Sequence, residues 1–163
     1  MKSKLSQILL VVFVGLIGVL SANAQNMNMD GFVYKNGNTL QQSGILKQGE
    51  GLKSKNGKYA AILQKDGNFC LYKLVEVGKS GEFIHCTLTV GDTDKQGSFL
   101  GMQNDGNLAL YNSKKAHLWS TNTYQGSEPQ KGRRLVMEDD GKLILYGRDN
   151  KTAIYDFQKG RLY

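Results

Sequence analysis

Three stretches of this chain follow one plan. "LQKDGNFCLY" (63–72) and "MQNDGNLALY" (102–111) keep Gln, Asp, Gly, Asn, Leu and Tyr at identical offsets, and "MEDDGKLILY" (137–146) keeps Asp, Gly, Leu and Tyr. Tyr72, Tyr111 and Tyr146 close them at spacings of 39 and 35 residues. An apolar run precedes each Asp-Gly: "YAAILQ", "SFLGMQ" and "RLVMED". Beyond each Tyr a variable loop leads to Ile84-His85, Leu118-Trp119 or Ile154-Tyr155. A unit of about 35 residues buries no core alone, so three such units must pack together around a shared axis.

The units read as strands. Helical periodicity is nearly absent, and short alternating runs are punctuated by Asn-Gly and Asp-Gly pairs, which turn a chain sharply between strands. The fold class is all-β. Because successive strand side chains face opposite ways, Leu63, Phe69 and Leu71 share one face, while Gln64, Asp66, Asn68, Cys70 and Tyr72 share the other. The second copy sets Gln103, Asp105, Asn107, Ala109 and Tyr111 in the same row, opposite Met102, Leu108 and Leu110. A turn requires Asp-Gly but has no use for Gln two residues earlier or Tyr six residues later. The row of amide, carboxylate, amide and phenol is therefore a candidate binding surface. Its spacing suits the neighbouring hydroxyls of a hexose, each of which both donates and accepts.

The first residues belong to a different class. Lys2 and Lys4 precede "ILLVVFVGLIGVL", and Ala22-x-Ala24 follows, which is the pattern of a secretory signal peptide. Residues 1–24 are read as that peptide and 25–163 as one domain, with internal repeats at about 40–90, 91–124 and 125–160. Secretion to the extracellular space is expected, without membrane insertion after cleavage. Losing Lys2 and Lys4 lowers the formal charge from +7 to +5. The remaining basic residues are scattered apart from "KGRR" (131–134), which is no nucleic-acid footprint. Cys70 and Cys86 lack the companion histidines of a zinc site. No paired carboxylate cleft, triad or metal cluster converges, so neither enzyme chemistry, catalytic residue, metal nor cofactor is expected.

The spacing Q-x-D-x-N-x-x-x-Y resembles the mannose-binding motif of the bulb-type (monocot mannose-binding) lectins, Q-x-D-x-N-x-V-x-Y. "GILKQGEGLKSKNGKYAAILQKDGN" resembles that family's opening unit and "LWSTNT" (118–123) its Trp-Ser-x-Asn-Thr strand. The resemblance runs from about Asp30 to Asp156. It implies a β-prism II, three four-stranded antiparallel sheets about a pseudo-threefold axis. It also implies mannose sites in which Asp and Asn bind the 2-hydroxyl, Gln the 3-hydroxyl and Tyr the 4-hydroxyl, with Val against the ring carbons. The first site would be Gln64, Asp66, Asn68 and Tyr72, with Cys70 for Val. The second would be Gln103, Asp105, Asn107 and Tyr111, with Ala109 for Val. The third carries Glu138, Asp140, Lys142, Ile144 and Tyr146, and is expected to be degenerate.

The family's three central tryptophans are here His85, Trp119 and Tyr155, expected in the interior. Pairing Tyr72 with Ile84 places Cys70 opposite Cys86, where a disulfide is expected in an oxidising compartment. A loop over Lys73–Phe83 is expected to flank the first site. Asn150-Lys151-Thr152 is a glycosylation sequon. The partners implied are mannose-containing glycans or glycoproteins, and a homo-oligomer is compatible with the family. The alternative reading is a β-prism that has lost sugar binding and acts as a secreted protein-interaction module. Intact mass of the secreted protein is expected to place its N-terminus at Gln25, and retention of residues 1–24 would overturn the signal-peptide assignment.

Overall fold

The computed structural model describes residues 27–76, 79–89, 94–125, 127–128 and 131–162, so the segment read as a signal peptide lies outside the described residues. Four short strands come first: β1 Met27–Asn28, β2 Thr39–Gln41, β3 Ile45–Lys47 and β4 Gly51–Lys53. Three strand triplets follow. They are β5 Tyr59–Leu63, β6 Phe69–Val75 and β7 Ser80–Cys86; then β8 Phe99–Met102, β9 Leu108–Tyr111 and β10 His117–Ser120; then β11 Gly132–Met137, β12 Leu143–Gly147 and β13 Ala153–Asp156. A last strand, β14, covers Gly160–Arg161.

Each triplet is an antiparallel meander and takes its fourth strand from the ribbon β2–β4. Strand β4 pairs with β5, β3 with β8 and β2 with β11. The result is a β-prism of three antiparallel sheets. The sheets hold five, four and five strands rather than four each, because β1 adds beside β7 and β14 beside β13.

The inward faces supply a core in layers of three. Leu63, Met102 and Met137 occupy equivalent positions, as do Phe69, Leu108 and Leu143, and Leu71, Leu110 and Leu145; the ribbon contributes Leu40, Leu46 and Leu52. All are at most 1% exposed. Burying each such side chain stabilises the fold by about 1.5–3 kcal/mol, which lets the prism form without a helix in its core. Near the axis Phe157 packs edge-on against Phe69, His85 and Trp119, at ring separations of 5.3, 5.2 and 5.7 Å. His85, Trp119 and Tyr155 thus line the interior, and the Phe157 ring occupies the space between the first two.

The Asp-Gly turns join the units. Asp66, Asp105 and Asp140 each accept a hydrogen bond from the amide two residues on, at 3.0, 2.9 and 3.1 Å. The glycine that follows has a positive φ in every copy: +89° at Gly67, +96° at Gly106 and +90° at Gly141. Each of these glycines abuts the next unit. A β-carbon on Gly67 would lie 2.3 Å from the Gly97 nitrogen, one on Gly106 would lie 2.8 Å from the Gly132 nitrogen, and one on Gly141 would lie 2.7 Å from the Tyr59 ring. The first unit seats on the second, the second on the third, and the third on the first.

Two local expectations are corrected. The segment expected as a loop over Lys73–Phe83 continues β6 and β7 into a longer hairpin, since the two strands stay paired as far as Val75 and Ser80 and Lys73 forms an ion pair with Glu82 at 3.2 Å. A bulge at Ile84 then shifts the register, so Tyr72 faces Phe83 instead of Ile84, while Cys70 stays opposite Cys86. Asn150 sits in an exposed turn after β12.

Gly106→Ala is expected to cost about 2–3 kcal/mol, because it forces a β-carbon into a positive-φ site that has no room. Nothing lies within 4 Å of a β-carbon built on Gly101. Gly101→Ala should therefore stay within about 1 kcal/mol of wild type. Denaturant midpoints at an unchanged slope check both values.

Candidate functional site

On the outward face of each sheet the fold sets the same row, and the three rows differ in what covers them. The hairpin between the first two strands of each triplet fixes the row's ends. The residue just after the first strand (Gln64, Gln103, Glu138) and the tyrosine eight positions on, in the second strand (Tyr72, Tyr111, Tyr146), meet through their side chains.

In the first row Gln64 Nε2 donates to the Tyr72 hydroxyl at 2.6 Å. Gln64 and Tyr72 meet under cover, at 6 and 5% exposed; Asn68 is 9% exposed, and Asp66 stands exposed at the turn. The cover is the chain's own N-terminal segment. Met29 joins Ala60, Ile62, Cys70, Tyr72, Leu74 and Cys86 in a second apolar cluster, with Met27, Phe32 and Tyr34 packed against it. The Met29 amide donates to the Lys79 carbonyl at 2.9 Å and holds the segment in place. Cys70 and Cys86 form a disulfide, and the Cys70 Sγ lies 3.3 Å from Gln64 Oε1. Burial pushes the Tyr72 phenol above its usual range; the Asp66 charge adds to this and the Gln64 hydrogen bond opposes it.

In the second row Gln103 and Tyr111 are half-buried and lack the N-terminal cover, while Asn107 and Ala109 are 6 and 0% exposed. Gln103 Nε2 donates to the Tyr111 hydroxyl at 2.9 Å, which leaves the phenolic proton for an outside acceptor. Tyr111 stacks on Phe99 at 5.3 Å and meets the edge of His117 at 5.7 Å. The floor is the Gly101–Ala109 pair, where the first row has Ile62 and Cys70. A cavity of about 220 Å³ opens there, lined among others by Gln103, Tyr111, Gly101, Phe99, Ile45 and Asn104. Asp105 and Asn107 stand outside that lining, at the turn. Asp105 is exposed and spends one oxygen on the Asn107 amide. Asn107 Oδ1 lies 3.3 Å from Thr121 Oγ1, and its Nδ2 has no partner among the described residues.

The sequence reading missed what orients this asparagine. Thr121 and Thr123 share a 2.8 Å hydroxyl contact, and Thr123 donates to the Gly106 carbonyl at 2.6 Å. Thr87 and Thr89 repeat the arrangement beside Asn68, whose Oδ1 accepts from the Thr89 amide at 2.7 Å. The signal was a Thr-x-Thr pair following Cys86 and Ser120 alike. In the third unit the same positions hold Phe157 and Lys159, and the first of these turns into the core.

The third row keeps the geometry and reverses its polarity. Tyr146 donates to Glu138 Oε1 at 2.8 Å, whereas the other two tyrosines accept from an amide. Burial, then the Glu138 hydrogen bond and charge, push this phenol up to about 12, against the opposing effect of Arg134, whose guanidinium lies 4.5 Å from the ring centre. Lys142, in place of the asparagine, is ion-paired with Asp140. A cavity of about 610 Å³ lies over this row.

No group of three or more His, Cys, Asp or Glu among the described residues could hold a metal ion. His85 is half-buried against Phe157, and Cys70 is bonded, so they form no nucleophile–base pair.

No family model matches the chain. The B-type lectin plumieribetin of Scorpaena plumieri is 30% identical over 124 residues, covering 76% of this chain and 97% of that protein. Among solved structures, a Japanese Marasmius oreades lectin superposes with a TM-score of 0.61 at 25% identity, covering 77% of this chain and 93% of that one. The mannose-specific agglutinin from snowdrop (Galanthus nivalis) bulbs, complexed with methyl-α-D-mannoside, gives 0.54 at 33% identity, covering 71% and 94%.

Tyr72→Phe is expected to cost about 1–2 kcal/mol, since it leaves the buried Gln64 amide without its acceptor. Tyr111→Phe, at a partly exposed row, should cost less than about 0.5 kcal/mol. Equal losses in denaturant titrations would show that the two rows are covered alike.

Proposed function

The chain belongs to the bulb-type lectins, a family of carbohydrate-binding proteins and not enzymes, and from that membership we propose that it binds terminal mannose through its second row. One observation carries the assignment: of the three rows, the second alone combines Gln, Asp, Asn and Tyr with an open floor.

The donors and acceptors left over by the protein match a sugar edge. Asn107 Nδ2 and the Tyr111 proton are free to donate, while the second Asp105 oxygen and Gln103 Oε1 are free to accept. Neighbouring hydroxyls of a hexose can meet all four, with the carboxylate taking the charge-assisted bond. The ring carbons would lie over Gly101, where a larger side chain would stand in the way. A sugar with an inverted hydroxyl would leave one of these groups unpaired, which is the source of selectivity.

One open row makes each protomer a single-site binder. Agglutination would therefore require an oligomer, and avidity would come from assembly and not from the three units of one chain. Residues 1–24 and the Cys70–Cys86 bond support a secreted protein acting on mannose-bearing glycoproteins, with defence as one use of such binding. The altered first and third rows favour the alternative of a protein-interaction module that no longer binds sugar.

Mannan binding by the mature protein separates these readings. Asn107→Ala and Asp105→Asn are each expected to weaken it tenfold or more, about 1.5–3 kcal/mol for a hydrogen bond involving a charge. Asp66→Asn, in the covered row, should change it less than twofold. A folded wild type that ignores mannan would leave the interaction-module reading standing, and a loss on Asp66→Asn would mean that the first row opens.

A further inference from the structure

We propose that the third row binds an amino sugar carrying a free, protonated amine, giving the chain a second specificity on a separate sheet. The inference does not rest on mannose binding by the second row.

The cavity over this row, about 610 Å³, is of the size that takes a small ligand. Its lining sets four carboxylates, Glu138, Asp139, Asp140 and Asp156, against the two ammonium groups of Lys142 and Lys159. The site is locally anionic on a chain whose formal charge is +7. Lys142 is ion-paired with Asp140, and its charge also reaches Asp156 and Glu138 without a hydrogen bond to either.

Asp156 is the residue that points to a ligand. Strand pairing places it opposite Ile144, where the first unit has Cys86 opposite Cys70 and the second has Ser120 opposite Ala109. A neutral side chain has thus become a carboxylate beside the floor. Asp156 is only 2% exposed. Its Oδ1 accepts the Gln158 amide at 2.9 Å, and its Oδ2 takes no hydrogen bond from any described residue. A carboxylate so buried is stable when a donor or cation meets it, and the open side of this one is the cavity. Glu138 has the same spare capacity: Oε1 takes the Tyr146 proton, and Oε2 takes none.

Where the second row offers amide donors, the third offers acceptors with negative charge. A neutral hexose would desolvate those charges without neutralising them. A protonated amine on the sugar makes charge-assisted bonds to Glu138 and Asp156, and the Tyr146 oxygen remains to accept from a ring hydroxyl. Ile144, Ala153 and Leu162 supply an apolar surface for the ring carbons. A lysine side chain would satisfy the carboxylates but leave the hydroxyl partner unused. A metal ion is disfavoured because no group of three suitable ligands converges among the described residues.

The test is an NMR or calorimetric titration of the mature protein with a glucosamine tetramer, its fully N-acetylated counterpart and lysine amide. The glucosamine oligomer is expected to bind, and the N-acetylated form at least tenfold more weakly. The isosteric variants Asp156→Asn and Glu138→Gln, which keep the Asp156 turn and the Tyr146 contact, should each weaken glucosamine binding tenfold or more. Excess methyl α-mannoside should not displace it. No binding by the folded protein, equal binding of the N-acetylated form, equal binding of lysine amide, indifference to both substitutions or displacement by the mannoside would each overturn the proposal.

Discussion

A glycine with no room for a β-carbon holds this molecule together. Gly67, Gly106 and Gly141 each occupy a left-handed backbone conformation while touching the next unit. The preceding aspartate stabilises the turn by accepting the amide two residues on. The same Asp-Gly pair thus bends the hairpin, fixes the register of the row beside it and seats one sheet against the next. Local turn chemistry and global closure are one requirement here, so Asp-Gly recurs in all three units while its neighbours vary.

Given that frame, differences among the rows come down to what stands on the floor and what lies above it. Ile62 and the disulfide fill the first floor, and Met29 closes it; Gly101 and Ala109 leave the second open; Val136 and Ile144 floor the third, with Asp156 beside them. In each row the tyrosine and its partner eight residues earlier still meet, whether an amide donates or a carboxylate accepts. The scaffold tolerates a change of polarity at the ligand face because the inward face, with its layers of Leu, Met and Phe, is untouched by it.

The repeats, the turns, the split of Leu63, Phe69 and Leu71 from the polar row, and the opposition of Cys70 and Cys86 were legible in the sequence, since each rests on offsets within one hairpin. The cover over the first row was not. Met29 belongs to a segment without a counterpart in the other units, and it joins the cluster of Tyr72 from 43 residues earlier in the sequence. Strands β2–β4 are three residues each, too short for an alternation to register. The bulge at Ile84 was hidden for a related reason: a single extra residue changes pairing without changing pattern. Asp156 was readable as a residue but not as a site, because its meaning depends on Cys86 and Ser120 standing in the same place.

The ribbon from Thr39 to Lys53 gives its three strands to three different sheets, and to the last of them first. Strand β2 therefore waits for partners about ninety-five residues downstream, at Arg134 to Val136. During synthesis the second sheet can be completed once the second unit is out, but the third cannot until the third unit has left the ribosome. A chain halted before that point carries β2 unpaired. Closure of such a prism is a late event with a long loop to close, which makes it slow to complete and, once closed, hard to open from any one edge.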